Sequence, residues 1–324
     1  MDTVETEKDN NQRKSKTLHK PPLVLNIFRF IFKYLGALLP GIFGRWSYHL
    51  WFQTPRSPTP KREQDWLRSA RSEAVIIESD NPGLDGLPVM TYYWENTANQ
   101  KPTNIKAPLI MLVHGWTGRG SQMGALAEPL LRAGFRVLSF DNHAHANTPG
   151  KATSIFSLSA VQQALVKKFG PVYAVVTHSF GGMVTPYSLT HGMQTEKVVC
   201  ISPPARFDFL LERFSQTLHL PQNIQRYMVK RFKREYGDDL AERVSSTRTS
   251  QALGHIPALI IHDVDDEDVP SSESELLHQS WPNSKLILTH GLGHRRILYD
   301  PQVIENTVNF LKQSNTSKYF TVAK

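Results

Sequence analysis

One cysteine among 324 residues rules out an internal disulfide. That residue, Cys200 in the apolar run KVVCIS, reads as a buried strand position and asks for no oxidising compartment. Uncharged apolar runs of spanning length are also missing. The most apolar stretch, PPLVLNIFRFIFKYLGALLPGIFGRWSYHLWF at 21–52, carries Arg29 and Lys33 inside its first half and Pro40-Gly41 near its middle. A transmembrane helix needs roughly 20 apolar residues, and the same charges interrupt a signal-peptide core. Excess basic charge is scarce outside the N-terminus. The net +8 divides into 13 Lys/Arg against 6 Asp/Glu in residues 1–72 and 24 against 23 in the remainder. A nucleic-acid-binding fold spreads basic residues over a face, so no nucleic-acid partner is expected. His143 and His145 form an H-x-H pair, but no further clustered ligands accompany them, and neither a metal nor another cofactor is expected.

What is present falls into segments. Residues 1–20 are polar, charged and almost free of aromatics, the composition of a disordered tail. Residues 21–52 read as an amphipathic helix with a wide apolar face: Asn26, Arg29 and Lys33 lie three and four apart on one narrow stripe, with Leu, Ile and Phe around the rest. Two readings of it stand. It lies in the membrane interface, which makes the protein peripheral at the inner face of the membrane, or it packs on the globular body of a cytoplasmic protein. Residues 53–73, with three prolines in TPRSPTPKRE, read as a linker. Residues 314–324 read as a C-terminal tail.

From about residue 74 to 313 short β-branched runs alternate with helical patterns. Strands are expected at 74–78, 88–94, 109–114, 136–141, 172–178, 197–202, 258–263 and 285–290. Helices are expected at 121–133, 153–169, 181–191, 273–281 and 301–313. Several strands show no polar alternation, as befits strands buried on both faces of a parallel sheet. An α/β fold follows, with an eight-stranded, mostly parallel sheet flanked by helices, and ligands bind such sheets beyond the carboxyl ends of the strands. Polar residues of catalytic type gather there: His114-Gly115-Trp116, Asp141-Asn142-His143, Ser179-Phe180-Gly181, the aspartates from Asp263 to Asp268, and Gly291-Leu292-Gly293-His294.

Four of these motifs, in this order, resemble the α/β-hydrolase superfamily on its serine esterase, lipase and peptidase side, of the bacterial single-domain type. HGW at 114–116 resembles the oxyanion loop, THSFGG at 177–182 the nucleophile elbow, HDVDDEDVP at 262–270 the acid loop and GLGHRRIL at 291–298 the histidine loop. The resemblance covers roughly residues 75–313. It implies Ser179 as nucleophile, His294 as general base and acid, and backbone amides of Trp116 and Phe180 as the oxyanion hole. The family pattern selects Asp266 as the acid that orients the histidine. Asp263, Asp265 and Asp268 stand in the same loop as alternatives. Two departures accompany the match: Thr177 occupies the elbow's usual glycine, and HANTPG at 145–150 has Ala146 and Thr148 where His-Gly-x-Ser-x-Gly is common.

Some 55 residues separate the strands ending at 202 and starting at 258. They are the place where this superfamily inserts a helical cap, expected here over 203–255. RYMVKRFKRE within it is a solvated helix face or an attractor of anionic substrates or lipid head groups. The implied activity is a serine hydrolase cleaving carboxylic esters, lipid-derived ones among them, through an acyl-enzyme. The same triad serves peptidases, thioesterases and acyltransferases, and a catalytically silent binding module shares the fold.

Overall fold

The computed structural model describes residues 23–95 and 107–313; the segments read as tails, 1–20 and 314–324, lie outside the described residues. Eight strands form one sheet: β1 (Arg71–Ile76), β2 (Pro88–Trp94), β3 (Leu109–Val113), β4 (Arg136–Phe140), β5 (Val172–His178), β6 (Lys197–Ile201), β7 (Ala258–Asp263) and β8 (Ser284–Thr289). Their order is β1-β2-β4-β3-β5-β6-β7-β8. Strand β2 pairs antiparallel with both neighbours, and the other pairings are parallel. The expected mostly parallel eight-stranded sheet is therefore the observed one. Strand β1 starts at Arg71, three residues early, because its first half is an exposed polar edge that carries no apolar signal.

The central strands are apolar on both sides because both sides are covered. In β3, Leu109, Met111 and Val113 face one core while Ile110 and Leu112 face the other, the two-residue alternation of a pleated strand. The covering helices are, in chain order, α1 (Leu23–Leu38), α2 (Pro40–Trp51), α3 (Lys61–Ser69), α4 (Ala127–Arg132), α5 (Ile155–Phe169), α6 (Gly181–Thr190), α7 (Phe207–Leu218), α8 (Gln222–Tyr236), α9 (Leu240–Val244), α10 (Ser246–Thr249), α11 (Ser271–Ser280), α12 (Gly293–Arg296) and α13 (Pro301–Lys312). Helices α7 to α10 occupy the segment expected to hold the cap. Strand β6 is fastened to the last helix by its first residue: the buried Lys197 ammonium donates to the carbonyls of Phe310 at 3.0 Å and Leu311 at 3.4 Å, at the carbonyl-rich end of α13. Burial lowers its pKa from the usual lysine value.

Two sequence expectations need correcting. The amphipathic stretch 21–52 is two helices and not one. Pro40 lacks an amide proton and disfavours helical backbone at the residue before it, and Leu39 accordingly turns out to φ −126°, ψ 61°. Residues 53–73 hold a helix, α3, and the start of β1. The stretch is tied down: Thr54 Oγ1 donates to Ala144 O at 2.7 Å, and Arg56 donates to Thr148 O at 2.7 Å. Glu63 of α3 is 2 % exposed and accepts from Arg119 Nε and Ser121 Oγ, both at 2.8 Å. A buried carboxylate with a cation and a hydroxyl on it fixes α3 in place, and removing Arg119 leaves a costly unpaired charge.

Helices α1 and α2 are part of a third apolar core beside the sheet. Phe32, Phe43 and Tyr48 pack there with Met183 of α6, Leu211 of α7 and Met228 of α8. The charged stripe of α1 is spent partly on this contact, since Arg29 Nε donates to Thr217 O at the end of α7 at 2.9 Å.

Candidate active site

Parallel strands deliver three loops to one edge of the sheet. Ser179 follows β5, Asp266 follows β7 and His294 follows β8 at the start of α12. Between β5 and α6 the chain turns within two residues, and the first of them, Ser179, takes φ +53°, the left-handed region that non-glycine residues avoid. Such a conformation costs on the order of 1–3 kcal/mol and persists only where surroundings impose it. Here they do. The Ser179 amide donates to Ile201 O at 2.9 Å, and the chain crowds in from both sides. A Cβ on Gly115 would stand 2.7 Å from Ser179 Cβ, and one on Gly182 would stand 2.6 Å from Pro203 Cβ. Thr177, the departure at the elbow's first position, is accommodated: it is fully buried and its hydroxyl donates to Val199 O at 3.1 Å.

The three side chains meet. His294 Nε2 lies 3.0 Å from Ser179 Oγ, and His294 Nδ1 lies 2.7 Å from Asp266 Oδ2. Asp266 is the loop aspartate that reaches the imidazole. Burial would raise its pKa, but hydrogen bonds from His262 and His294 and from the Val269 amide outweigh burial and hold the carboxyl well below the usual range. An ionised Asp266 accepts, so His294 donates from Nδ1 and turns Nε2 toward the serine hydroxyl. Asp266 Oδ1 is held in turn by the amides of Asp268 at 2.8 Å and Val269 at 2.9 Å.

Asp263 has a different task. It accepts from the amides of Leu292 at 3.1 Å and Gly293 at 2.9 Å and from Thr289 Oγ1 at 2.8 Å, which pins the loop carrying His294. Asp265 accepts from the Gly291 amide at 2.9 Å, and exposed Asp268 lies 3.6 Å from Arg213.

Trp116 and Phe180 flank Ser179 from the two expected loops. Phe180 stands at the N-terminus of α6 and Trp116 in the turn closed by the Gly118 amide on Gly115 O at 3.0 Å. Neither backbone amide has a protein acceptor among the described residues. Their rings meet edge to face at 5.5 Å. Both line an apolar cavity of about 230 Å³ whose lining includes Ser179. Its walls come from Trp51 and Phe52 at the end of α2, from Phe207 and Phe214 of α7 and from Phe232 of α8.

Several histidines around the site stand in the motifs read from the sequence, but their contacts left no signal there. His178 sends Nε2–H to His294 O at 2.8 Å, so the residue before the serine holds the backbone of the histidine that faces it. Burial, with His294 nearby, pushes its pKa down to about 3. His114 accepts from the Asn142 amide on Nε2 at 3.0 Å and donates from Nδ1 to Gly115 O at 2.7 Å, neutral and pushed down to about 4 by burial. His262 reaches Asp266 Oδ2 at 3.3 Å from the far side and lies 2.5 Å from Ser274 Oγ. Its place four residues before Asp266 was visible, its contact was not. The His143–His145 pair builds the neighbouring loop: His145 donates to His143 O at 2.9 Å and packs at a tilt against His114 and edge to face against Trp116. Among the described residues no three His, Cys, Asp or Glu side chains converge as metal ligands would. Cys200 is buried in β6, its thiol pushed up to about 12 by burial.

A three-loop serine site on a mostly parallel sheet defines a class, and comparison with known proteins gives it a name. The family model described as the alpha/beta hydrolase family matches residues 110–307, and this chain belongs to that family. A curated relative, the "Putative carbamate hydrolase RutD" of Escherichia coli O157:H7, is 25% identical over 241 residues, 62% of this chain and 90% of the relative. The solved esterase Pf2001 of Pyrococcus furiosus superposes with a TM-score of 0.59 at 20% identity, covering 81% of this chain and 97% of its own. Est1E of Butyrivibrio proteoclasticus, solved with ferulic acid bound, gives 0.53 at 20% identity, covering 74% of this chain and 96% of its own. At these identities the structural likeness is one of fold.

Proposed function

We propose that the protein is a serine hydrolase of carboxylic esters with an apolar acyl group, acting through an acyl-enzyme. The observation that carries the reading is the hydrogen-bonded line from Ser179 Oγ through His294 to Asp266, 3.0 Å and 2.7 Å, with Ser179 in the lining of an aromatic-walled cavity. Ser179 attacks the acyl carbon while His294 Nε2 takes its proton, and Asp266 stabilises the resulting imidazolium. The free amides of Trp116 and Phe180 receive the oxyanion. His294 returns the proton to the departing alcohol, and water repeats the sequence to release the acid and restore Ser179.

The apolar, aromatic wall of the cavity supports an acyl chain as the group bound there, whereas the name of the E. coli relative speaks of a carbamate. Peptidases, thioesterases and acyltransferases use the same machinery, and matched p-nitroanilide and acyl-thioester substrates beside the ester series separate the first two from an esterase. The test is turnover of p-nitrophenyl esters from acetate to palmitate, with a fluorophosphonate label located by mass spectrometry. Label on Ser179 and a loss of about 10⁴-fold or more in kcat for Ser179→Ala are expected. Equal rates in both proteins with no label on Ser179 refute the reading.

A further inference from the structure

We propose that the outer face of α1 docks on an anionic phospholipid bilayer. Helix α1 has two apolar faces, and only one is covered. Phe32 and Gly36 are buried against the cap helices, Gly36 so closely that its Cβ would stand 2.7 Å from Ile224 Cδ1. On the opposite side Leu23, Ile27, Phe30, Tyr34 and Leu38 follow one another three and four apart and are 76, 50, 63, 53 and 74 % exposed, and Ile42 of α2 extends the patch at 62 %. Side chains at this spacing form one continuous stripe. Contiguous exposed apolar surface of this kind marks a contact with another phase or another molecule. No helix among the described residues is long and apolar enough to cross a membrane, which leaves a helix lying in the plane of one.

Charge decides the occupant. Exposed Lys33 of α1 and Arg45 of α2 lie on the helices that carry the stripe. Asn223 of α8 donates to Ala37 O of α1, and Arg226 and Lys230 follow it on the same row of α8, three and seven residues on. None of these four cations has a carboxylate partner among the described residues. Arg13, Lys14, Lys16 and Lys20 precede α1 in the chain. A second copy on this face would set these cations against their own kind, whereas anionic head groups complement them. Where the proposal makes membrane-borne esters the substrate source, it rests on the ester-hydrolase reading; docking itself does not.

The test is flotation of the full-length protein with vesicles of phosphatidylcholine alone and of phosphatidylcholine mixed equally with phosphatidylglycerol. The wild type should float with the mixed vesicles, less in high salt and less with phosphatidylcholine alone. The triple variant Ile27→Ser, Phe30→Ser, Leu38→Ser should bind about tenfold or more weakly, while its rate on p-nitrophenyl acetate stays at the wild-type value and shows that the fold is intact. The pair Arg226→Gln, Lys230→Gln should lose the preference for the anionic vesicles. Ser179→Ala should float like the wild type, so a failed hydrolase assay leaves this result readable. Equal flotation of the triple variant overturns the proposal. So does a wild type that stays off both vesicles, including the case in which gel filtration shows a dimer that Phe30→Ser dissociates.

Discussion

Acid should unfold this protein earlier than its carboxylates alone would. Three histidines are buried and neutral in the folded state: His114 is pushed down to about 4, His145 to about 3 and His178 to about 3, each by burial first. In the unfolded chain they titrate near 6.5, so below that value the unfolded state binds protons that the folded state refuses, and stability falls with pH. Each imidazole costs about 2 kcal/mol between pH 7 and pH 5, and the three together about 6 kcal/mol, at about 1.4 kcal/mol per proton and pH unit. Natural domains hold about 5–15 kcal/mol in total. Asp263 and Asp266, whose pKa values hydrogen bonds lower against the opposing effect of burial, stabilise above the unfolded carboxylate range and withdraw support only below about pH 4. Asp141, raised by burial, acts in the opposite sense and trims the slope. The assay is the urea midpoint by tryptophan fluorescence at steps from pH 7 to pH 5, with its slope converted to free energy. His145→Gln should remove about one proton from the uptake near pH 5.5. A free energy that is flat from pH 7 to pH 5 refutes the reasoning, because it means the three imidazoles protonate as freely folded as unfolded.

Two alanine substitutions on the N-terminal helices should differ in sign. At Gly44 the new Cβ meets the Tyr227 ring at 2.6 Å, a rigid neighbour, and overpacking of about 1–3 kcal/mol should exceed the helix gain of about 0.5–1 kcal/mol. At Gly36 the neighbour is the rotatable end of Ile224, so Gly36→Ala should be neutral or stabilising by up to about 1 kcal/mol; thermal melts of both variants check the pair. Gly115→Ala pushes on Ser179 Cβ from 2.7 Å and should cut kcat by about 100-fold with a much smaller change in melting temperature, as steady-state kinetics would show. Asp263→Ala frees the loop held through Leu292, Gly293 and Thr289. It should lower the rate of fluorophosphonate labelling by about 10-fold or more, a result that an unchanged labelling rate would contradict.

Local pattern carried the sheet and the three site loops into view. Strands buried on both faces are unbroken apolar runs, and Ser179, Asp266 and His294 each sit at a fixed offset from such a run, so reading strand ends finds them. The break at Leu39 had a signal that the expectation of one helix over 21–52 passed over, since Pro40 stands inside an otherwise helical pattern. Helix α3 was not: KREQDWLRS is polar and follows three prolines, and what makes it a structural element is Glu63, whose partners Arg119 and Ser121 lie more than fifty residues away. For the same reason Trp51 and Phe52 read as the end of an amphipathic segment and turn out to wall the cavity. A side chain's neighbours across the fold leave no trace in the residues beside it.

The position of Trp51 makes α2 a lever. Its indole touches Phe207, Phe214 and Phe232 edge on, with ring centroids at 5.7, 5.3 and 5.5 Å, so the tip of the helix is geared into three walls at once. Twelve residues of helix reach about 18 Å, and a tilt of about five degrees at one end displaces the other by about 1.5 Å. A shift of that size is enough to change how anything held in the cavity sits against Ser179. Whatever steadies or tilts the first turn of α2 therefore adjusts the bore of a cavity at its far end, without touching Ser179, Asp266 or His294.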